Sequence, residues 1–274
     1  MKNERMLRFL YHTAAGRMLL RPLCSRGVSR LCGAFLNTRL SRPLIAPFLK
    51  NNGIDIADFE GTPFANFNAC FSRKIKDGLR PIAPPPAFIA PCDALLSAYR
   101  ITGDTVIPVK QSRFTVSALL GNDPVAARYA DGVCLVFRLC VQHYHRYHYV
   151  DDAVKGENVF IKGKLHTVRP IALREVPVFV ENCREYTVMD TVHFGTVTQV
   201  EVGALLVGRI CNRDGACEVK RGAEKGMFLY GGSTVILLLE KGRVQFPETL
   251  FAATADGKET PVRLGEAIGE TEKV

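Results

Sequence analysis

His193-Phe194-Gly195-Thr196-Val197-Thr198-Gln199-Val200-Glu201-Val202-Gly203-Ala204-Leu205-Leu206-Val207-Gly208-Arg209-Ile210 decides the fold class. Apolar and polar residues alternate there at period two, and glycine returns at regular intervals. Alternation of this kind lines one face of a strand with apolar side chains, and recurrent glycine permits tight corners. The stretch predicts short antiparallel strands closing into a sandwich or barrel. From Val159 onward the chain keeps this character. Val133 to Val141 is a further strand-like run, broken by Arg138, and Val235-Ile236-Leu237-Leu238-Leu239 reads as a strand buried on both faces. The tail from about Gly265 is rich in charge and is expected to fray.

Working outward, 274 residues with 47% apolar content describe a folded globular chain with ample core, neither disordered nor multispanning. The net charge of +9 is unevenly spread. Residues 1–50 hold ten Lys and Arg against one acid, Glu4, whereas the remainder carries 26 basic and 26 acidic residues. The nine cysteines form an odd set without a Cys-x-x-Cys pair, which favours reduced thiols in a cytosolic setting. Cys211 and Cys217 have no second pair at finger spacing, so no metal is expected.

The basic arm, residues 5–50, reads as helices separated by Pro22, Pro43 and Pro47. Met6, Leu7, Leu10, Leu19, Leu20, Leu23, Leu31, Phe35 and Leu36 recur with arginines between them. No uncharged stretch reaches the roughly 20 residues needed to span a bilayer, and no apolar core with a cleavage site marks a signal peptide. Such helices can cap a fold, bind nucleic acid or lie on an anionic membrane. Thin aromatic interleaving and the lack of a recognition motif argue against nucleic acid. A membrane surface suits both the apolar residues and the arginines, each cation being worth about 1 kcal/mol there.

Four places could carry chemistry. Phe67 and Phe71 share a helix face in an element expected to end at Gly78 and Pro81. Asp93, after Pro91-Cys92, is a lone acid among apolar residues, either a turn former or a carboxylate that orients a histidine. Gln142-His143-Tyr144-His145-Arg146-Tyr147-His148 gathers three of the six histidines. On a strand His143 and His145 would share a face, and on a helical turn His145 and His148 would. Metal binding, acid/base work and a plain surface cluster all remain open for them. Gly231-Gly232-Ser233-Thr234 is either a tight turn into the last buried strand or the seat of a serine that attacks its own peptide bond.

Several stretches recur in one order: Phe67…Phe71-Ser72-Arg73-Lys74 with Arg80-Pro81-Ile82, Pro91-Cys92-Asp93, and Tyr144-His145-Arg146-Tyr147-His148. Glu181-Asn182-Cys183-Arg184-Glu185, Phe194-Gly195 with Val200-Glu201-Val202-Gly203-Ala204, Lys220…Gly222…Glu224…Gly226…Phe228, and Gly231-Gly232-Ser233-Thr234 complete the series. Together they resemble the phosphatidylserine decarboxylase family of pyruvoyl-dependent lipid enzymes, over nearly everything from Phe64 to Leu239. The resemblance implies an α+β fold in which a basic helical arm (1–60, membrane-associating) precedes a mostly antiparallel, β-rich sandwich- or barrel-like catalytic domain (61–274).

It also implies self-cleavage between Gly232 and Ser233 into chains 1–232 (beta) and 233–274 (alpha). The Ser233 hydroxyl attacks the Gly232 carbonyl to give an ester, elimination makes dehydroalanine, and hydrolysis leaves a pyruvoyl group and ammonia. By the same resemblance Asp93 and His148 form a relay with Ser233, and His145 returns a proton to the substrate. The covalent pyruvoyl cofactor derived from Ser233 would form a Schiff base with phosphatidylserine and release phosphatidylethanolamine. The implied partners are phosphatidylserine, an anionic membrane surface and the two cleaved chains, with room for a homodimer and none for nucleic acid. The implied location is peripheral, on the cytoplasmic face of the cell membrane.

Three departures touch the relay: His143 stands where the family often has Asp, Ala94 where it often has Gly, and Tyr149-Val150 where a proline often follows the last histidine. The rivals are an uncleaved β-rich peripheral lipid-binding protein and a pyruvoyl decarboxylase for a soluble amino acid. The basic arm argues against the second.

Overall fold

The computed structural model describes residues 2–102, 106–109, 112–169, 171–172, 176–204, 209–229 and 233–272. Four helices occupy the basic arm: α1 (Lys2–His12), α2 (Ala14–Leu23), α3 (Arg26–Leu36) and α4 (Ile45–Asn52), with a 3-10 turn at Arg39–Leu44. The first two breaks fall at capping hydroxyls, not at the prolines expected from the sequence. Thr13 Oγ1 accepts from the Gly16 N–H at 2.9 Å and Ser25 Oγ from the Val28 N–H at 3.3 Å, satisfying donors that a helix start leaves open. Pro47 lies in the first turn of α4, where its missing N–H has no helical acceptor to lose. Pro22 falls in the last turn of α2 and Pro43 within the 3-10 turn.

The arm packs into the rest of the molecule. Leu7, Leu10, Tyr11, Leu20 and Cys24 are buried in the main core. Leu36 joins Phe67 and Phe71 of α5 (Phe67–Phe71) in a second cluster. That helix stops well short of Gly78 and Pro81. Ser72 Oγ turns back to the Asn68 carbonyl at 2.8 Å, and Arg73 folds inward to the Cys70 carbonyl at 3.3 Å, so the chain leaves the helix at once. Among the described residues no helix is long and apolar enough to cross a membrane.

The strands run in chain order from β1 (Ala87–Ile89), β2 (Ala94–Arg100), β3 (Val106–Val109) and β4 (Ser112–Thr115). Next come β5 (Val133–Leu139), β6 (Arg146–His148), β7 (Ala153–Lys155) and β8 (Val159–Ile161). β9 (Arg184–Thr191), β10 (Gly195–Val202), β11 (Arg209–Asn212), β12 (Cys217–Val219), β13 (Glu224–Leu229) and β14 (Ser233–Leu239) follow. β15 (Val244–Gln245), β16 (Thr260–Val262) and β17 (Ala267–Thr271) come last.

A nine-stranded sheet, antiparallel throughout, runs β12-β7-β9-β10-β14-β5-β2-β16, with β8 on β9. It stays open, so the architecture is a sandwich and not a closed barrel. Smaller sheets, β11-β13-β6 and β1-β17-β15, pack against it. The long alternating stretch divides as its glycines suggest. Gly195, at φ +69°, turns the chain from β9 into β10, while residues 205–208 lie outside the described residues.

The apolar run after Ser233 forms β14, buried at every position and flanked by β10 and β5. Among the described residues the tail is held in a strand, against the expectation that it frays. β17 lies between β1 and β15, because Ile268 reaches the core while Glu266 and Glu270 point outward.

Candidate active site

Pairing register locates the site. Ser233, the first residue of β14, lies opposite Leu139, the last residue of β5. The chain leaving β5 at that end is the one carrying the histidines. Cys140 and His143 close a turn: the His143 N–H donates to the Cys140 carbonyl at 2.9 Å, and the Cys140 N–H donates to His143 Nδ1 at 3.0 Å. The two periodicities considered for the cluster therefore both give way. His143 sits in the turn, His148 in β6, and His145 between them.

Ser233 is fully buried, and its Oγ has no hydrogen-bond partner. Residues directly opposed in an antiparallel pair share a face. Val235, two residues on, opposes Glu201 of β10, so Ser233 and Glu201 project from the same side of the sheet. Glu201 meets Lys225 of β13 at 2.9 Å, which identifies that side as the layer between the large sheet and β11-β13-β6. Gly232, the other half of the expected cleavage site, lies outside the described residues.

His145 is fully buried, with its ring centroid 4.1 Å from that of Phe71. Its Nδ1 lies 2.9 Å from the His143 carbonyl oxygen. A carbonyl only accepts, so Nδ1 carries the proton and Nε2 is the nitrogen that can gain one. The His148 N–H donates to the Pro91 carbonyl at 2.9 Å, which ties β6 to the segment bearing Asp93. Burial pushes the His148 imidazole down to about 4, against the opposing pull of Glu224, so the ring is neutral near pH 7. Its Nδ1 is buried without a hydrogen-bond partner. Burial also lowers His143.

Asp93 makes its hydrogen bonds elsewhere. Arg80 donates to it from Nε at 2.9 Å and from Nη2 at 2.6 Å, and the Leu264 N–H donates at 2.9 Å. These bonds fix the carboxylate, whose field favours a protonated His148. Alternation along β6 sends Tyr147 toward Glu201, where its hydroxyl donates to Asn212 at 3.0 Å. Arg146 and His148 go to the other face, where Arg146 meets Glu224 at 2.8 Å. Asp93 and His148 thus lie on neighbouring segments, Ser233 emerges beside Glu201, and no hydrogen bond joins Asp93, His148 and Ser233 in a chain.

Two arginines not counted among the candidate site residues organise this region. Arg73 is buried and donates from Nη2 to the carbonyls of Gln142 and His143 at 2.8 and 3.1 Å, clamping the histidine turn from a distant segment. Arg80 holds Asp93 from only 13 residues away. A cation and a lone acid at that spacing in an otherwise apolar stretch were a readable signal for the second. Nothing local marks the first.

The site does not stand alone in its resemblance. A sequence model of the phosphatidylserine decarboxylase family matches residues 67–270. The chain is 40% identical over 267 residues to phosphatidylserine decarboxylase proenzyme 2 of Clostridium acetobutylicum, covering 97% of this chain and 91% of that protein. It is 35% identical over 273 residues to the phosphatidylserine decarboxylase proenzyme of Clostridium botulinum strain Alaska E43, covering 97% and 92%. Against the proenzyme of Desulfitobacterium hafniense strain DCB-2 the identity is 35% over 280 residues, covering 98% and 93%. The chain therefore belongs to the phosphatidylserine decarboxylase family.

Proposed function

We propose that this decarboxylase is made as a precursor whose Ser233 hydroxyl cleaves the Gly232–Ser233 bond and becomes a pyruvoyl group, and that the processed enzyme converts phosphatidylserine to phosphatidylethanolamine. One observation carries the reading: a fully buried serine hydroxyl without a partner, at the mouth of a buried strand and directly after two glycines. An unsatisfied buried hydroxyl costs about 1–3 kcal/mol. A turn that only entered the strand would be better served by alanine. A hydroxyl kept there at a cost suits a nucleophile, and the glycine before it leaves the attacked carbonyl uncrowded.

In the proposed cleavage, Ser233 Oγ gives its proton to a neutral imidazole and adds to the Gly232 carbonyl carbon. The Gly232–Ser233 C–N bond breaks, leaving an ester on the serine oxygen and a free amino group on residue 233. Loss of the Cα proton expels the Gly232 carboxylate and leaves dehydroalanine, which takes up water and releases ammonia. The pyruvoyl ketone then supplies an electron sink, through a Schiff base with the substrate amine, for the pair left when carbon dioxide departs.

On the family resemblance, His148, neutral and buried, is assigned the serine's proton, with Asp93 as the fixed charge that favours the imidazolium; its ring, which leaves β6 on the face away from Glu201, would have to turn toward Ser233 to take it. His145, which gains and loses its proton at Nε2, is assigned the proton returned to the substrate carbon. The basic arm, with exposed Met18, Leu19, Leu31 and Leu40, is assigned to the anionic, cytoplasmic face of the cell membrane. The two cleaved chains stay together because β14 is the centre of the large sheet.

Intact-mass measurement tests the reading. The purified chain is expected as two fragments dividing at 232/233, the shorter beginning with a pyruvoyl group. Ser233→Ala is expected as one chain of 30.3 kDa that releases no carbon dioxide. A single 30.3 kDa species in active wild-type protein would refute the pyruvoyl mechanism.

A further inference from the structure

A cavity of about 870 Å³ opens where the arm meets the β-rich domain. Tyr11 of α1 and Arg17, Leu20 and Arg21 of α2 line it, with Lys162, Lys164 and His166 from the segment after β8. Four cations therefore surround one opening. Of these, Lys164 is engaged by Glu181 at 3.0 Å, and Arg17 donates to the Tyr11 carbonyl at 3.3 Å. Arg21 and Lys162 have no ion pair among the described residues. Tyr11, Leu20, Cys24 and Val176 add apolar surface to the wall, beside Ser25 and Gly163.

His166 closes one side of the cavity and is only 8% exposed. Its Nδ1 lies 3.4 Å from the Tyr11 hydroxyl, which accepts from the Thr167 N–H at 3.1 Å, and 3.6 Å from Cys24 Sγ. Its Nε2 is buried and faces a Glu181 carboxylate oxygen at 3.7 Å.

The cavity wall is also tied to the serine. The Asn182 side-chain amide donates to the His166 carbonyl at 2.8 Å and to the Gly203 carbonyl at 2.7 Å, and its oxygen accepts from the His166 N–H at 2.9 Å. Gly203 follows β10, whose last residue, Val202, pairs with Thr234 beside Ser233.

We infer that this cavity binds the phosphodiester of an anionic glycerophospholipid, with Arg17, Arg21 and Lys162 around the phosphate. The glycerol and first chain carbons lie against Tyr11 and Leu20. Guanidinium pairs match phosphate oxygens in geometry and charge, and the apolar wall excludes a bare anion as the best ligand. The inference rests on the phospholipid reading above and names where on the chain the lipid is gripped.

The test uses the full-length chain carrying Ser233→Ala and monomeric dihexanoyl phosphatidylserine, titrated calorimetrically below its micelle concentration. Arg17→Gln/Arg21→Gln/Lys162→Gln, all at exposed side chains, is expected to weaken binding about tenfold or more, the loss of roughly one charge-assisted contact. Arg30→Gln/Arg39→Gln/Arg42→Gln removes the same charge away from the cavity and is expected to stay within about twofold. Equal losses in the two triples, or none in either, would overturn the inference. Inorganic phosphate or glycerophosphoserine binding as tightly as the lipid would overturn it in favour of a free-anion site. Carbon dioxide release by the wild-type chain is measured separately. Its absence would sink the decarboxylase mechanism, whereas unchanged lipid affinity in the cavity triple sinks this inference alone.

Discussion

At the scale of single residues, burial keeps the His148 imidazole uncharged near neutral pH. His148 is shielded from water, and its neighbours pull in opposite directions: Glu224 and Asp93 favour the charged ring, Arg146 opposes it, and burial outweighs them all. A histidine held below its unfolded value refuses a proton that the unfolded chain accepts. Stability is then lost as pH falls from about 6.5 toward 4, and the loss is complete below that window. Its full size is on the order of 3 kcal/mol. His143 and His166, also lowered by burial, add in the same direction. Urea denaturation at pH 7 and pH 5 checks this in the Ser233→Ala background, where a single chain unfolds. His148→Gln should lose about 2 kcal/mol less than its parent between those pH values. Superimposable pH dependences would show that the ring is not held neutral.

At the scale of elements, the layer between the two sheets is held by charge as well as by apolar packing. Glu201 of β10 and Lys225 of β13 are both fully buried and 2.9 Å apart. Asn212 of β11 accepts from Lys225 and Tyr147 and donates to Glu201 and Glu185. Gly226 keeps the strands close, since a Cβ there would stand 2.4 Å from the Cys211 carbonyl oxygen and 2.7 Å from the Tyr147 hydroxyl. Removing one member of a buried ion pair strands the other, at about 3–5 kcal/mol, whereas apolar replacement of both can be nearly neutral. Lys225→Met should therefore be strongly destabilising, and adding Glu201→Leu should recover at least half of the loss. A double variant as unstable as the sum of its singles, measured by denaturation, would show that the pair is not coupled.

This layer also marks the boundary of what the sequence discloses. β10 and β14 are legible because their patterns are local. The partners of Glu201 are not, because Lys225 and Asn212 reach it only through sheet pairing. Ser233, Asp93, His145 and His148 stand out as chemistry-bearing types in odd surroundings. Arg73 and Asn182 do not, since their work is done on carbonyls that arrive from distant segments.

For the whole molecule, the arm has one face buried and one exposed. Leu7, Leu10, Tyr11 and Leu20 anchor it in the main core, while Met18, Leu19, Leu31 and Leu40 are 73%, 57%, 74% and 77% exposed. The alternation of apolar residues with arginines made the amphipathic character readable, but not which leucines face inward, because that depends on where each helix is capped. Deleting residues 1–50 would strip the core as well as the proposed membrane face, so loss of binding after such a deletion would prove little. Substituting only the exposed residues separates the two. Even at about 1 kcal/mol each, below the 1.5–3 kcal/mol of full burial, four such side chains would contribute a factor of several hundred to partitioning. Met18→Ser/Leu19→Ser/Leu31→Ser/Leu40→Ser is therefore expected to lower partitioning onto phosphatidylglycerol-containing vesicles by about several hundredfold, with the thermal midpoint unchanged. Vesicle sedimentation reads the outcome, and raised salt should weaken the binding that remains, since the arginines are still present. Undiminished partitioning in the quadruple variant would move the membrane contact off the arm altogether.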